Sequence, residues 1–177
     1  MPAEAASTIA ETLGPVVPDA IGAATANLLE RAAKAELTIA AAESCTGGLL
    51  SALLTDIEGD SHVFERGFVA YSEAAKCELL GIARMTIEQC GAVSREVAEA
   101  MAAGALAQSG ADIAVAVTGF AGPGAQDEEP GLVHFACARR AGRLMHQVRH
   151  FGDIGRGPTR IACLSVAIEM LGDALDG

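Results

Sequence analysis

The sequence is poor in aromatic residues: it has no tryptophan, one tyrosine and an aromatic content of 3% in 177 residues. Proteins that bind single-stranded nucleic acids or sugars commonly stack them on aromatic side chains, so this composition disfavours both classes of ligand. The apolar residues, 51% of the chain, are mainly Ala, Val, Leu and Ile. They favour helices packed closely on a sheet.

Positive charge is also scarce. Twelve Lys and Arg residues stand against 23 acidic ones, which gives a net charge of −11. Nucleic acids and anionic membranes are bound by clustered basic side chains, so neither is an expected partner. Two lysines are present, Lys34 and Lys76. A catalytic lysine therefore has few possible positions.

Long apolar runs are missing as well. None approaches the ~20 residues of a membrane-spanning helix, and the N-terminus lacks the basic and apolar segments of a secretory signal. The five cysteines include no CxxC pair and no Cys/His cluster. We therefore expect free thiols, no metal site and a cytoplasmic location.

The apolar pattern predicts one α/β domain over residues 1–177, with residues 1–17 as a loose leader. Strands are predicted at 37–42, 64–71, 113–117, 132–138 and 144–151. Helices are predicted at 19–36, 49–55, 73–80, 95–109 and 159–175, with Ser72 and Ser94 as N-caps. Because the early strands alternate with helices and the last two form a hairpin, we expect a mixed sheet with helices on both faces.

Residues 43–48, with the sequence ESCTGG, lie between the first predicted strand and the next helix. Open α/β sheets bind ligands at this edge, and two glycines let backbone N–H groups approach an anion at the helix start. Ser44 and Thr46 are therefore candidate ligand-facing residues. The segment is neither a P-loop nor a GxSxG elbow. An ordinary βα turn with a Ser or Thr N-cap is the alternative explanation.

A second polar group follows the second strand, where Tyr71 and Ser72 precede Lys76 in the next helix. A lysine desolvated by burial takes the proton of a serine in Ser–Lys hydrolases, and Tyr71 is placed to orient or relay that proton. A solvated helical lysine and a strand-end tyrosine are the alternative.

A second glycine-rich loop, residues 118–124, follows the third strand. Its GxxGxG order differs from the dinucleotide-binding fingerprint, and its glycines are also explained by a turn that needs positive φ. Two such loops at one edge of a sheet would frame a cleft.

Two pairs of basic residues lie near the C-terminus. Arg156 and Arg160 are four residues apart, so they share a helix face and form either a phosphate clamp or a surface pair. His146 and His150 share one face of a strand but lack a third metal ligand. The acidic residues 127–129 are typical of a solvated loop.

Together, four segments resemble the CinA C-terminal domain family: residues 42–48, 64–72, 91–94 and 117–123, in order and with family-like spacing. The resemblance covers roughly residues 20–175. It implies a three-layer α/β/α fold with a mixed, mostly parallel sheet of about five strands. It also implies hydrolysis of the carboxamide of nicotinamide mononucleotide (NMN) to nicotinate mononucleotide and ammonia, without a metal or cofactor. Longer members carry an N-terminal molybdopterin-binding-like domain, and this chain resembles the stand-alone form.

By position in these motifs, the resemblance implies Ser44 as the nucleophile, Lys76 as its base and Tyr71 as a helper. The residues that it implies for substrate binding are Glu43, Cys45, Thr46, Gly47, Gly48, Gly119, Gly122, Arg156 and Arg160. Backbone N–H groups of residues 45–48 would hold either the oxyanion or the phosphate.

The sequence departs from the family pattern in three places. Glu73 and Ala74 replace the usual Asn-Glu after Tyr-Ser, and Ala125 and Gln126 replace a glycine pair. Two residues are inserted within residues 152–156. These departures put substrate choice and the phosphate contacts in question.

They therefore support a second hypothesis, a nucleotide-binding module of the competence-related type with little or no catalysis. A third hypothesis is hydrolysis of another amide or of a pyrophosphate. In each case we expect a small-molecule nucleotide partner. The Ala-rich segment 97–107 also predicts a homodimer or a higher homo-oligomer.

Overall fold

The structure is a computed structural model that describes residues 13–14, 16–123, 128–140 and 142–177. Its helices are α1 (Asp19–Lys34), α2 (Leu49–Thr55), α3 (Glu73–Leu80), α4 (Arg84–Cys90), α5 (Arg95–Ala107) and α6 (Arg156–Asp176). Its strands are β1 (Ile39–Glu43), β2 (Phe64–Val69), β3 (Ile113–Gly119), β4 (Leu132–Arg139) and β5 (Leu144–His150). A short 3₁₀ helix, Ser61–Val63, precedes β2.

The five strands of the described chain form one sheet in the order β2-β1-β3-β4-β5. β1 is parallel to both of its neighbours, whereas β4 is antiparallel to β3 and to β5. Four of the strands therefore run in the same direction. This confirms the predicted α/β fold with a mixed, mostly parallel sheet. The carboxyl ends of β1, β2 and β3 lie at one edge.

Helices cover both faces of this sheet, which gives three layers. On one face, the larger strand residues such as Ile39, Val115 and Phe135 join a core with α1, α2 and α6. On the other face, strand alanines such as Ala40 and Ala114 meet α5. Small side chains on this face let α5 lie close to the sheet, as the Ala-rich composition predicts.

Most predicted elements agree with the structure to within a few residues. The N-caps are confirmed: Ser72 Oγ accepts a hydrogen bond from Ala75 N at 3.1 Å, and Ser94 Oγ accepts one from Val97 N at 3.3 Å. The sequence pattern does not predict α4, because its seven residues bury only Ile87.

The predicted start of α6 at residue 159 is wrong. The helix begins at Arg156, so Pro158 lies within its first turn. An N–H has no intrahelical partner there, which is why a proline is tolerated.

Part of the predicted leader lies outside the described residues, namely 1–12 and 15. The remainder is attached to the fold: Leu13 N donates to Asp56 Oδ2 at 2.9 Å, and Val17 is buried in the core. Among the described helices, none has both the length and the apolar character needed to cross a bilayer.

Two helical glycines test how tightly α5 packs. A Cβ at Gly104 of α5 would overlap the carbonyl oxygen of Leu80, whereas a Cβ at Gly22 of α1 would meet open space. We expect Gly104→Ala to lower the free energy of unfolding, because overpacking costs about 1–3 kcal/mol and exceeds the gain in helix propensity. Gly22→Ala is the matched control and should raise that free energy by up to about 1 kcal/mol. Urea denaturation measures both, and a stabilising Gly104→Ala would contradict the close approach.

Candidate active site

Two polar side chains meet at the carboxyl edge of the parallel strands. Ser44 directly follows β1, and Lys76 lies in α3, which follows β2. Lys76 Nζ donates a hydrogen bond to Ser44 Oγ at 3.0 Å. Both residues are buried, with exposed fractions of 6% for Ser44 and 2% for Lys76. The structure thus brings together the two residues that were predicted as nucleophile and base.

Burial changes the acid–base behaviour of this lysine. Loss of water around the Lys76 amine lowers its pKa from the ordinary value, because desolvation disfavours the charged form. The nearby Cys45 and Glu73 act in the opposite direction and raise the pKa, but desolvation is the largest effect. The amine is therefore biased toward its neutral form, which accepts a proton.

The carboxylate of Glu43 is fully buried and is used within the turn itself. It accepts hydrogen bonds from Gly48 N at 3.1 Å, Leu50 N at 3.0 Å and Ser51 N at 2.8 Å. It also accepts one from Ser51 Oγ at 2.6 Å. These donors are the amides at the start of α2, which would otherwise attract an anion. In this arrangement they are engaged by Glu43 and not open to a substrate.

Steric constraints explain why the turn has glycine at two successive positions. Gly47 and Gly48 adopt positive φ angles of 63° and 95°, a region that other residues rarely occupy. A Cβ at Gly47 would also lie 3.3 Å from the guanidinium of Arg160. Thr46 is buried, and its Oγ1 is a buried side-chain atom without a hydrogen-bond partner in the described part of the chain.

Helix α6 holds the same turn from the other side. Arg160 Nε donates to the carbonyl oxygen of Cys45 at 2.8 Å. The pKa of Cys45 is lowered, mainly by its neighbour Cys163 on α6, and the charges of Arg160 and Lys76 add to this effect.

A cleft of about 380 Å³ opens above the Ser44–Lys76 pair. Tyr71 stands at its side with 65% of its surface exposed. The other lining residues are Cys45, Ala92, Val93, Gly119, Phe120, Ala121, Gly122, Pro123, Glu128 and Arg156. The two glycine-containing loops therefore do frame a cleft. The lining does not include five of the residues predicted for substrate contact, namely Glu43, Thr46, Gly47, Gly48 and Arg160.

Comparison with known proteins places the chain in a family. The model of the CinA C-terminal domain matches residues 22–175. The chain belongs to this family. It is 44% identical to the competence/damage inducible protein CihA from Agrobacterium tumefaciens, with a TM-score of 0.87 over 91% of this chain and 98% of that one. For a CinA superfamily protein from Escherichia coli the identity is 32% and the TM-score is 0.79, over 85% and 88% of the two chains.

Curated relatives are of two lengths. The chain is 52% identical over 118 residues to the nicotinamide-nucleotide amidohydrolase PncC from Enterobacter agglomerans, which is 65% of this chain and 72% of that protein. It is 51% identical over 141 residues to a CinA-like protein from Mycobacterium sp. (strain MCS). That match covers 78% of this chain but 33% of the relative, so the chain spans about a third of the longer CinA-like proteins.

The residues that depart from the CinA pattern lie in three different parts of the chain. Glu73 and Ala74 are exposed at the start of α3, where the helix dipole favours an acid. The insertion lies in the loop before α6, whose glycines Gly152 and Gly155 have positive φ. It therefore leaves Arg156 and Arg160 together on α6. Ala125, Gln126 and Asp127 lie outside the described residues.

The histidines that share a face of β5 lie away from the cleft. His146 Nε2 is 3.1 Å from His134 Nδ1 across the β4–β5 hairpin, and His150 Nδ1 is 2.7 Å from Glu129 Oε1. Burial lowers the pKa of both His134 and His146. In the described ranges, no group of three or more His, Cys, Asp or Glu side chains is arranged to hold a metal ion.

Sequence reasoning missed two contacts of this site. It did not show that Arg160 would bind the Cys45 carbonyl oxygen, although Arg156 and Arg160 share one helix face. It also proposed Glu43 as a substrate ligand without seeing that Ser51 and the start of α2 would bind its carboxylate. An acid directly before a glycine-rich helix start was the available signal.

Proposed function

We propose that this CinA C-terminal domain hydrolyses the carboxamide of NMN to nicotinate mononucleotide and ammonia. The observation that carries the proposal is the buried 3.0 Å contact between Lys76 Nζ and Ser44 Oγ, at the floor of a cleft of about 380 Å³. The similarity to PncC, named as a nicotinamide-nucleotide amidohydrolase, supports the choice of substrate.

The chemistry is a two-step acyl transfer. Neutral Lys76 takes the proton of the Ser44 hydroxyl while Oγ attacks the carboxamide carbon, which forms a tetrahedral intermediate. Lys76 then gives this proton to the amide nitrogen, the C–N bond breaks, and ammonia leaves an ester on Ser44. Water attacks the ester with Lys76 as base. The C–O bond breaks, and Ser44 regains its proton from Lys76.

Because Lys76 contacts Ser44 directly, the proposed mechanism does not need Tyr71 to relay the proton. Its side chain is exposed beside the cleft. A phenol ring in this position stacks on the flat nicotinamide ring of a bound substrate, an interaction worth about 1–3 kcal/mol for nucleobases. We assign Tyr71 to substrate binding.

The phosphate of NMN needs a cation. Because the first amides of α2 are engaged by Glu43, we assign the phosphate to Arg156, which lines the cleft. Arg160 is bonded to the Cys45 carbonyl oxygen, so we assign it to positioning of the nucleophile turn.

Removal of either member of the pair should abolish the reaction. We expect Ser44→Ala and Lys76→Met to reduce ammonia release from NMN by at least about a thousand-fold, as measured by a coupled ammonia assay. Retained activity in either variant would remove that residue from the mechanism. Binding of NMN to the wild-type chain by calorimetry, without ammonia release, would favour the non-catalytic nucleotide-binding module instead.

Lys76→Met also has an expected effect on stability. The unfolded chain binds a proton at this lysine up to the ordinary lysine pKa, whereas the folded chain releases it at lower pH because the pKa is lowered. The free energy of unfolding therefore rises with pH across the window between these two pKa values. Below the lowered pKa, folding must bury a charged amine, which lowers the free energy of unfolding. Methionine carries no charge, so Lys76→Met should raise the Tm at neutral pH. A stabilisation of about 1 kcal/mol would correspond to a rise in Tm of about 2–4 °C.

The pH dependence tests the assignment of Lys76 more directly. Since Glu73 raises the pKa of Lys76, Glu73→Gln should lower it and move the acid limb of kcat/KM to lower pH. Glu78→Gln, at another exposed position of α3, is the matched control. The shift should shrink at high salt because exposed charges are screened. An unchanged acid limb would argue against Lys76 as the group that must lose its proton.

The two arginines should differ in their kinetic effects. Arg156→Ala should raise KM for NMN by about tenfold or more, because a charge-assisted hydrogen bond is worth about 1.5–3 kcal/mol, and leave kcat near the wild-type value. Arg160→Ala should instead lower kcat. Nicotinamide riboside, which has no phosphate, is the control substrate. If Arg156→Ala weakens both substrates equally, Arg156 does not bind the phosphate.

A further inference from the structure

The cleft contains an acidic side chain as well as a basic one. Glu128 and Arg156 both belong to its lining, and Glu128 is half-buried. Among the described lining residues, Glu128 is the one carboxylate. A carboxylate in a cleft that binds a phosphate repels this ligand, because like charges repel each other. Its presence is favourable where the same ligand also offers hydrogen-bond donors that the carboxylate can accept.

The backbone near Glu128 is held against two other loops. Gly131, three residues further along the chain, donates its N–H to the carbonyl oxygen of Phe120 at 2.7 Å. Gly131 also lies so close to Gly152 that a Cβ on Gly131 would overlap the Gly152 carbonyl oxygen. The segment that carries Glu128 therefore contacts both the loop after β3 and the loop that leads to Arg156.

The shape of NMN places its ribose between the two ends that the cleft binds. Under the proposed function the carboxamide lies at Ser44 and the phosphate lies at Arg156. The ribose connects the pyridine ring to the phosphate, and its 2′- and 3′-hydroxyls are two neighbouring hydrogen-bond donors. An acidic side chain binds a ribose hydroxyl in the same way in dinucleotide-binding folds. Glu128 is the acidic residue of the lining that can bind them here.

We propose that Glu128 binds the 2′- and 3′-hydroxyls of the ribose and makes the cleft selective for ribonucleotides over nucleotides that lack this diol. The inference rests on the proposed function, which supplies the nucleotide and the direction in which it lies. A carboxylate has two oxygens with several acceptor positions. It therefore accepts hydrogen bonds from both hydroxyls whatever else it contacts.

The positive charge on the pyridine ring of NMN is a second group that a carboxylate can contact. The ring bears the carboxamide, so it must lie next to Ser44. The segment of Glu128, in contrast, contacts the loop that leads to Arg156 through Gly131 and Gly152. This placement favours the ribose, which lies on the phosphate side of the ring. Removal of the two hydroxyls leaves the ring charge unchanged, so an experiment separates the two contacts.

The experiment measures by calorimetry the Kd of NMN and the Kd of its 2′,3′-dideoxyribose analogue. All chains carry Ser44→Ala, so that bound NMN is not consumed. We expect Glu128→Ala to raise the Kd of NMN by about tenfold or more, because hydrogen bonds to charged groups are the stronger ones. The Kd of the analogue should stay nearly unchanged. The ratio of the two changes isolates the contact with the hydroxyls.

Two further variants serve as controls. Glu129 follows Glu128 and carries the same charge, but it is exposed and lies outside the lining. Its carboxylate is 2.7 Å from His150 Nδ1. Glu129→Ala should therefore leave both Kd values near those of the parent chain. Glu128→Gln keeps the size of the side chain and one acceptor oxygen, so it should weaken NMN in the same selective way but by less. An unchanged Tm shows that each variant is folded.

The outcomes separate this inference from the proposed function. If Glu128→Ala weakens NMN and the analogue equally, or leaves the Kd of NMN unchanged, the inference is overturned. Failure of NMN to bind the parent chain overturns it as well. Ammonia release by the chain that retains Ser44 is measured separately. Ammonia release without a hydroxyl-dependent effect removes Glu128 and leaves the hydrolase, whereas the reverse result removes the hydrolase and leaves the ribose contact.

Discussion

The amine of Lys76 lies inside the protein with the hydroxyl of Ser44 at 3.0 Å, and the rest of the site depends on this contact. An ammonium ion is unfavourable in such a place because it has lost its water. Burial therefore lowers the pKa of Lys76, which raises the fraction of neutral amine, the form that acts as a base. The two residues meet only because β1 and β2 are adjacent and parallel, so the turn after one strand lies beside the helix after the other. One more strand between them would add about 4.8 Å and break the contact.

The turn that carries Ser44 is held by groups of the protein itself. Glu43 engages the amides at the start of α2, which fixes the helix to the end of β1. This removes an anion site that a glycine-rich turn would otherwise offer. Ser44 is thus held in a turn whose amides are not free to bind phosphate. Under the proposed function the phosphate is bound by a cation on another element, and Arg156 of α6 lines the same cleft.

Much of the fold was predictable from the sequence, because strands and helices with a buried face have regular apolar spacing. The caps Ser72 and Ser94 were equally visible, since capping is a local interaction. Short elements were not: α4 buries only Ile87 and has no periodicity to detect. At the site, local motifs indicated Ser44 and Lys76 as candidates. Their contact, and that of Arg160 with the Cys45 carbonyl oxygen, arise from tertiary packing, which spacing along the chain does not encode.

Helix α6 contributes several side chains to the turn after β1 and to the cleft. Its residues Arg156, Arg160 and Cys163 are spaced at i, i+4 and i+7, so they form one stripe that faces the turn after β1 and the cleft. An insertion in the loop before the helix changes where the stripe begins but not the order within it. An insertion inside the helix would rotate the later members by about 100° per residue. The departure from the family pattern that the sequence analysis places within residues 152–156 therefore leaves the helix positions unchanged relative to one another, and α6 meets Cys45 through Arg160.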